Sequence, residues 1–111
     1  MAPSSALYSN GTAFHYKPVA NVCICRRGGA TSALQTMNSM FEMCNMPIVT
    51  SQYWNIAYGR EKGEVSRDLE GMQTMRTMAR NMAWILKKFH GIATIPAPDR
   101  EFPWQPMHFI R

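Results

Sequence analysis

Apolar residues run almost unbroken from Pro18 to Cys25, "PVANVCIC", stop at two arginines and two glycines, and resume at helical spacing. The first run is short, β-prone and apolar on both alternating faces, which predicts a strand covered on both sides in a parallel sheet. Past "RRGG", Leu34, Met37, Met40, Phe41 and Cys44 trace one apolar stripe on a helix that Asn45 and Pro47 stop. "MPIVTS" then predicts a second buried strand, shorter than the first, running into the aromatic-polar segment "QYWNIAYG". Gly59 and Gly63 bracket a charged connection, and Ser66 predicts an N-cap, with Asp68 and Glu70 suited to the positive end of a helix. That helix is long. Leu69, Met72, Met75, Ala79, Met82, Leu86 and Phe89 recur at steps of three and four, Lys87 and Lys88 sit near its negative end, and Gly91 can close it.

Two strand–helix units in succession predict an α/β fold, with two parallel strands joined by a right-handed crossover helix and a long second helix packed on the sheet. Residues 1–16 read as a loop lead-in carrying Leu7, Tyr8, Phe14 and Tyr16 as anchors. Residues 17–91 hold the strand–helix units. Residues 92–111 place four prolines among Phe102, Trp104 and Phe109, and predict an extended tail docked by its aromatics.

Composition changes this picture little. A chain of 111 residues with 46% apolar side chains suits one small domain. The 12 Lys and Arg outnumber the 7 Asp and Glu, but the excess is spread along the chain without a basic tail, so a solvated surface is favoured over nucleic acid binding. Cys23, Cys25 and Cys44 are odd in number and follow no secretory signal, which points to a reducing, cytoplasmic setting. Cys23 and Cys25 alternate with Val22 and Ile24, so they share one sheet face as buried thiols instead of converging on a metal. No apolar run reaches the roughly 20 residues of a membrane span. Most of the ten methionines fall on the two helical stripes, where flexible thioethers fill a core.

Two stretches carry candidate chemistry. In "RRGGAT", a strand, a Gly-rich turn and a helix follow one another, an order that aims backbone N–H groups and a helix's positive end at an anion or an electron-rich ring edge. Gly28 and Gly29 permit close approach and positive φ, Thr31 or Ser32 can cap the helix, and Arg26 and Arg27 add planar cationic donors. The pattern matches neither the three-glycine dinucleotide fingerprint nor the phosphate loop ending in Gly-Lys-Ser/Thr. In "SQYWN", Tyr53 and Trp54 could flank a flat ring, and Gln52 or Asn55 could bond its polar edge. Following the second strand, this loop is expected beside the first turn at the sheet's carboxyl edge, where open α/β sheets bind ligands. His15, His90 and His108 have no spaced partners, and no Ser-His-Asp or paired-carboxylate arrangement stands out.

The segments "RRGGAT", "MPIVTSQYWN" and "EGMQTMRTMARNMAW", with the closing "HFIR", together resemble the carboxyl-terminal half of flavodoxin-like NAD(P)H-dependent FMN reductases, the group that includes the iron–sulfur flavoproteins. The resemblance covers about residues 7–111. It implies a partial flavodoxin-like three-layer fold, holding two of the family's five parallel strands, with residues 17–91 as a half-domain. Arg26, Arg27, Gly28, Gly29, Ala30 and Thr31 would border the flavin ring, with Tyr53, Trp54 and Asn55 nearby. FMN is then the implied cofactor and NAD(P)H the co-substrate. No counterpart is present for the family's first strand, its phosphate loop, the next strand or the loop after the third strand. The cysteine cluster of the iron–sulfur subgroup is likewise without a counterpart, and no metal site is expected.

Two functions follow as expectations. One is a part of an FMN-dependent NAD(P)H oxidoreductase, binding FMN weakly on its own for want of phosphate contacts. The other is a non-catalytic α/β half-domain acting in oligomerisation or partner binding. Either way the run Val19 to Cys25 would keep an open edge, so a homo-oligomer or a complementary amino-terminal half is the expected partner.

Overall fold

A computed structural model describes residues 13–91; the tail at 92–111 and most of the lead-in lie outside the described residues. Strand β1 spans Cys23–Cys25, helix α1 spans Ala30–Met43, strand β2 spans Ile56–Tyr58, a 3-10 turn covers Glu64–Arg67 and helix α2 spans Leu69–Gly91. β1 and β2 pair in parallel, Cys23 against Ile56, Ile24 against Ala57 and Cys25 against Tyr58, with α1 as the crossover between them. The fold is therefore α/β.

Successive residues of a strand face opposite sides of the sheet, and β2 shows what covers each side. Ile56 packs with Ala30 and Leu34 of α1, joined by Cys23, Cys25 and Met37. The next residue, Ala57, lies against Gly71 of α2. The two helices thus cover opposite faces, giving three layers around a sheet of two strands.

Both strands are shorter than the apolar runs predict. The first run forms regular strand only over its last three residues, because Asn21 bonds sideways into the fold: its Nδ2 donates to Leu34 O at 3.3 Å and to Asn38 Oδ1 at 2.7 Å. The second strand is a correction of position. Residues 47–50 hold a single parallel bridge, Ile48 to Val19, while the regular strand comes later, at Ile56–Tyr58. From one pairing to the next, one chain advances from Val19 to Cys23 and the other from Ile48 to Ile56, so the second carries four surplus residues. These leave the sheet as the loop around Ser51–Trp54.

Coverage on both faces is a second correction. Val22 is 38% exposed and Ile24 59%, since α2 sits over β2 and reaches Ala57 without covering β1.

The helix ends follow their own chemistry. α1 begins after Gly29, which holds φ +89°, and no side chain caps it, so neither Thr31 nor Ser32 plays that part. Its other end is a two-bond reverse cap, in which Asn45 N donates to Glu42 O and Met46 N to Phe41 O, with Asn45 left-handed at φ +56°. For α2, Asp68 replaces Ser66 as the cap: its Oδ1 accepts the Gly71 N–H at 2.9 Å, whereas Ser66 Oγ donates back to Gly63 O. The contact face of α2 includes part of its apolar stripe but is centred to one side of it, on Gly71 and Thr74. Gly71 and Thr74 are buried; Met72, Met75 and Met82 of the stripe are half-buried, as are Met78, Asn81 and Ile85 beside it, while Leu69, Ala79, Leu86 and Phe89 are exposed. The face that docks therefore extends to one side of the stripe. It seats the bare backbone of Gly71 on Ala57, and it lets Thr77 donate to Gln52 Oε1 and Asn81 Nδ2 to Thr50 O.

Candidate functional site

The loop that leaves the sheet is held from both sides of its departure. Ser51 Oγ donates to Tyr53 O at 2.6 Å and accepts from Tyr53 N, a tight local turn, while Gln52 and Thr50 are tied to α2. Tyr53 and Trp54 stand outward, 62% and 52% exposed, with ring centroids 5.0 Å apart at 41°. The chain then turns in: Asn55 is buried, and its Nδ2 donates to Asn21 O at 3.1 Å. Because that bond ends on a carbonyl, it fixes which end of the amide is the oxygen. Asn55 Oδ1 is buried and has no hydrogen-bond partner, the only such side-chain atom among the described residues. Buried acceptors in that condition are uncommon enough to need a cause.

One pocket lies on the α1 side of the loop. Thr31, Leu34 and Asn38 of α1 line it opposite Tyr53, Trp54 and Asn55, with Asn21 on the strand side, and its volume is about 80 Å³. Thr31 is therefore brought together with Tyr53, Trp54 and Asn55. Arg26, Arg27, Gly28 and Gly29 are exposed on the turn after β1 and do not line the pocket, and Ala30 is buried in the core with Leu34 and Ile56. The physical reason is the loop's place: it interrupts the path of the second strand partway along, instead of following its end. Of the two glycines, Gly29 alone has positive φ, and neither has an atom within 4 Å of an added Cβ.

A second pocket, about 150 Å³, lies on the opposite side of the same aromatic pair, between Tyr53, Trp54, Ile56 and Tyr58 and the start of α2 at Asp68, Glu70, Gly71 and Thr74. Asp68 is fixed there by two backbone donors, Gly71 N to Oδ1 and Tyr58 N to Oδ2 at 2.8 Å. These bonds hold its carboxyl below the ordinary value of 3.8, Gly71 contributing most. Glu64 is lowered in the same way by the N–H groups of Glu61 and Arg60.

Sequence reasoning missed Asn21, Asn38 and the bridging role of Asp68. The signal for the first was available: a lone asparagine inside "PVANVCIC" has to find partners if the strand is buried. Among the described residues no group of His, Cys, Asp and Glu could hold a metal ion, and no helix is long and apolar enough to cross a membrane. No protein-family model, curated protein or solved structure matches the chain.

Proposed function

We propose that this chain is the carboxyl-terminal part of an FMN-dependent NAD(P)H oxidoreductase of the flavodoxin-like kind, supplying loops that border one edge of the flavin ring. The observation that carries this reading is Asn55 Oδ1, a buried acceptor without a donor, on a residue that lines the pocket with Thr31, Tyr53 and Trp54. A flat heterocycle with an N–H on its edge supplies the missing donor, and the aromatic pair offers it a face. At about 80 Å³ the pocket is far below the roughly 300 Å³ of a small-molecule site, so these residues fit one edge of such a ring and no more. The remainder, phosphate contacts included, would come from a complementary amino-terminal segment. Bound flavin supplies the hydride and electron transfer. The chain's own part is to orient the ring through Asn55 and Thr31 and to lend positive charge from Arg26 and Arg27. The test is co-expression with the amino-terminal half of a flavodoxin-like FMN reductase. A yellow complex with NAD(P)H-dependent flavin reduction is expected, and Asn55→Leu should weaken flavin retention about tenfold, the loss of one buried hydrogen bond. A complex that forms without flavin, or retains it equally with Asn55→Leu, overturns the reading.

A specific observation favours a second reading, a half-domain that binds a second copy of itself. β1 is the end of a two-stranded sheet, and its register turns the backbone groups of Ile24 away from β2, while the Ile24 side chain is 59% exposed. An open edge with an apolar face beside it invites another strand.

A further inference from the structure

Two large aromatics held in water by a fastened loop need an explanation. Tyr53 and Trp54 are 62% and 52% exposed, yet the loop that carries them is fixed by the Ser51 turn and by the bonds of Gln52 and Thr50 to α2. No described residue bonds the Tyr53 hydroxyl or the Trp54 indole N–H. The pair is thus a preformed apolar face that carries two donors at its rim. On the α2 side, the pocket of about 150 Å³ sets it beside Asp68 and Glu70, and neither carboxylate has a cation within ion-pair distance among the described residues, where the one ion pair joins Arg60 to Glu61.

The chain's own sequence supplies a segment of matching chemistry. α2 ends at Gly91, and beyond it, outside the described residues, stands "REFPWQP", Arg100 to Pro106. Proline fixes its own φ and biases the residue before it to extended backbone, so Pro103 and Pro106, with Phe102 and Gln105 ahead of them, favour polyproline II. That helix repeats every three residues, which puts Arg100, Pro103 and Pro106 along one edge and turns Asp99 and Glu101 away from it. Its carbonyls make no internal hydrogen bonds and accept from outside. Aromatic faces flanked by N–H and O–H donors are what such a segment docks on.

We propose that residues 100–106 dock as a polyproline II segment on the Tyr53–Trp54 face of their own chain. The aromatic pair and the two prolines carry the contact; charge sets its direction, with Arg100 toward Asp68 and Glu70. Length fits. From Gly91 back to Glu70 α2 rises about 31 Å, and the nine residues from Gly91 to Arg100 span about 28 Å as polyproline II, with the arginine side chain making up the difference. Thr77, which bonds Gln52 beside the aromatic pair, is nearer, about 21 Å from Gly91, so the twelve residues to Pro103 cover that distance with slack. A tether of this length holds the segment at roughly millimolar effective concentration, which favours the chain's own tail over a second copy's. The proposal is independent of the flavin reading, which rests on Asn55 and the pocket on the α1 side of the loop.

The test is tryptic cleavage of the full chain after Arg100, followed by mass spectrometry, since a docked bond is cut only in the released fraction. Cleavage should run at least about tenfold slower than in a free peptide of residues 96–108. Trp54→Leu should abolish most of that protection, and so should Pro103→Ala with Pro106→Ala, a change that leaves the described fold untouched and is read against a peptide carrying the same substitutions. Glu70→Gln should speed the cut about two- to threefold at low salt. Cleavage after Arg60, another Arg-Glu bond, reports on the fold and should stay constant across the variants. No protection in the parent chain, or an unchanged rate in Trp54→Leu, overturns the proposal. Protection that grows with protein concentration also overturns it, by assigning the segment's site to a second copy.

Discussion

The Asp68 carboxylate accepts the backbone N–H of Tyr58 at 2.8 Å, and its other oxygen caps α2 through Gly71. One side chain thereby ties the edge of the sheet to the start of the helix that covers it. It also blocks the edge of β2, since the N–H that would receive a further strand is occupied.

The first prediction concerns pH. A carboxyl held below its ordinary value of 3.8 binds fewer protons folded than unfolded, so its stabilisation is complete above that value and is lost as the pH falls through the lower folded-state value. Glu64, lowered by the N–H groups of Glu61 and Arg60, acts in the same direction. Thermal unfolding should show a midpoint that falls on acidification through this window. Asp68→Asn should flatten that fall, because the amide keeps an acceptor and loses the titration. An identical acid slope in Asp68→Asn would show that other carboxylates carry it.

Gly71 makes a sharper test. On an exposed helix site Gly→Ala gains up to about 1 kcal/mol. Here the added Cβ would stand 2.5 Å from Asp68 Oδ2 and 2.8 Å from Ala57 Cβ. The clash outweighs propensity, and Gly71→Ala should destabilise by about 1–3 kcal/mol in urea unfolding. Gly91, with nothing within 4 Å, is the control and should tolerate alanine. Pairing Gly71→Ala with Ala57→Gly should recover part of the loss, as contacting sites do not add independently.

The same residue shows how far the sequence could be read. The strand–helix–strand–helix order, the parallel pairing and the end of α1 at Asn45 are all legible from period and punctuation. The face of α2 is legible only in part: Met72, Met75 and Met82 of the apolar stripe are half-buried, but Gly71, Thr77 and Asn81 decide how the helix docks. The displaced second strand escaped for a related reason: "PIV" and "IAY" are equally strand-like, and only pairing with Val19 and Cys23 reveals the four surplus residues between them. That excursion also decides the site. Read as a loop beyond a strand's end, "SQYWN" belongs beside the turn at Arg26; as an interruption, it puts Tyr53, Trp54 and Asn55 on one pocket with Thr31, which Arg26 and Arg27 do not line.

The two glycines of that turn should behave differently. Gly29 holds φ +89°, a conformation costing an L residue roughly 1–2 kcal/mol, whereas Gly28 has no positive φ and open space around it. Gly29→Ala should therefore lower stability by about that amount and Gly28→Ala by less than about 0.5 kcal/mol. Gly29→Asn should fall between, as asparagine tolerates the left-handed region. Equal losses at both positions would place the strain elsewhere.

The remaining prediction follows from the asymmetry between the two sheet edges. The edge of β2 is closed by Asp68, and the edge of β1 is not: Ile24 turns its backbone groups outward, and no strand lies beyond it among the described residues. Its side chain is 59% exposed, and Val22 on the same face is 38% exposed. Burying a side chain of that size against a partner gains roughly 1.5–3 kcal/mol, and an added strand would satisfy the outward N–H and C=O as well. A lysine at position 24 opposes both, since strand pairing would bring its charge beside a second copy's and desolvate it. Ile24→Lys should thus shift sedimentation at micromolar concentration toward the 12.7 kDa monomer. Within the monomer the change should be nearly neutral, because the position already faces water. A parent chain that sediments wholly as monomer under the same conditions would leave the edge of β1 without the partner argued for it.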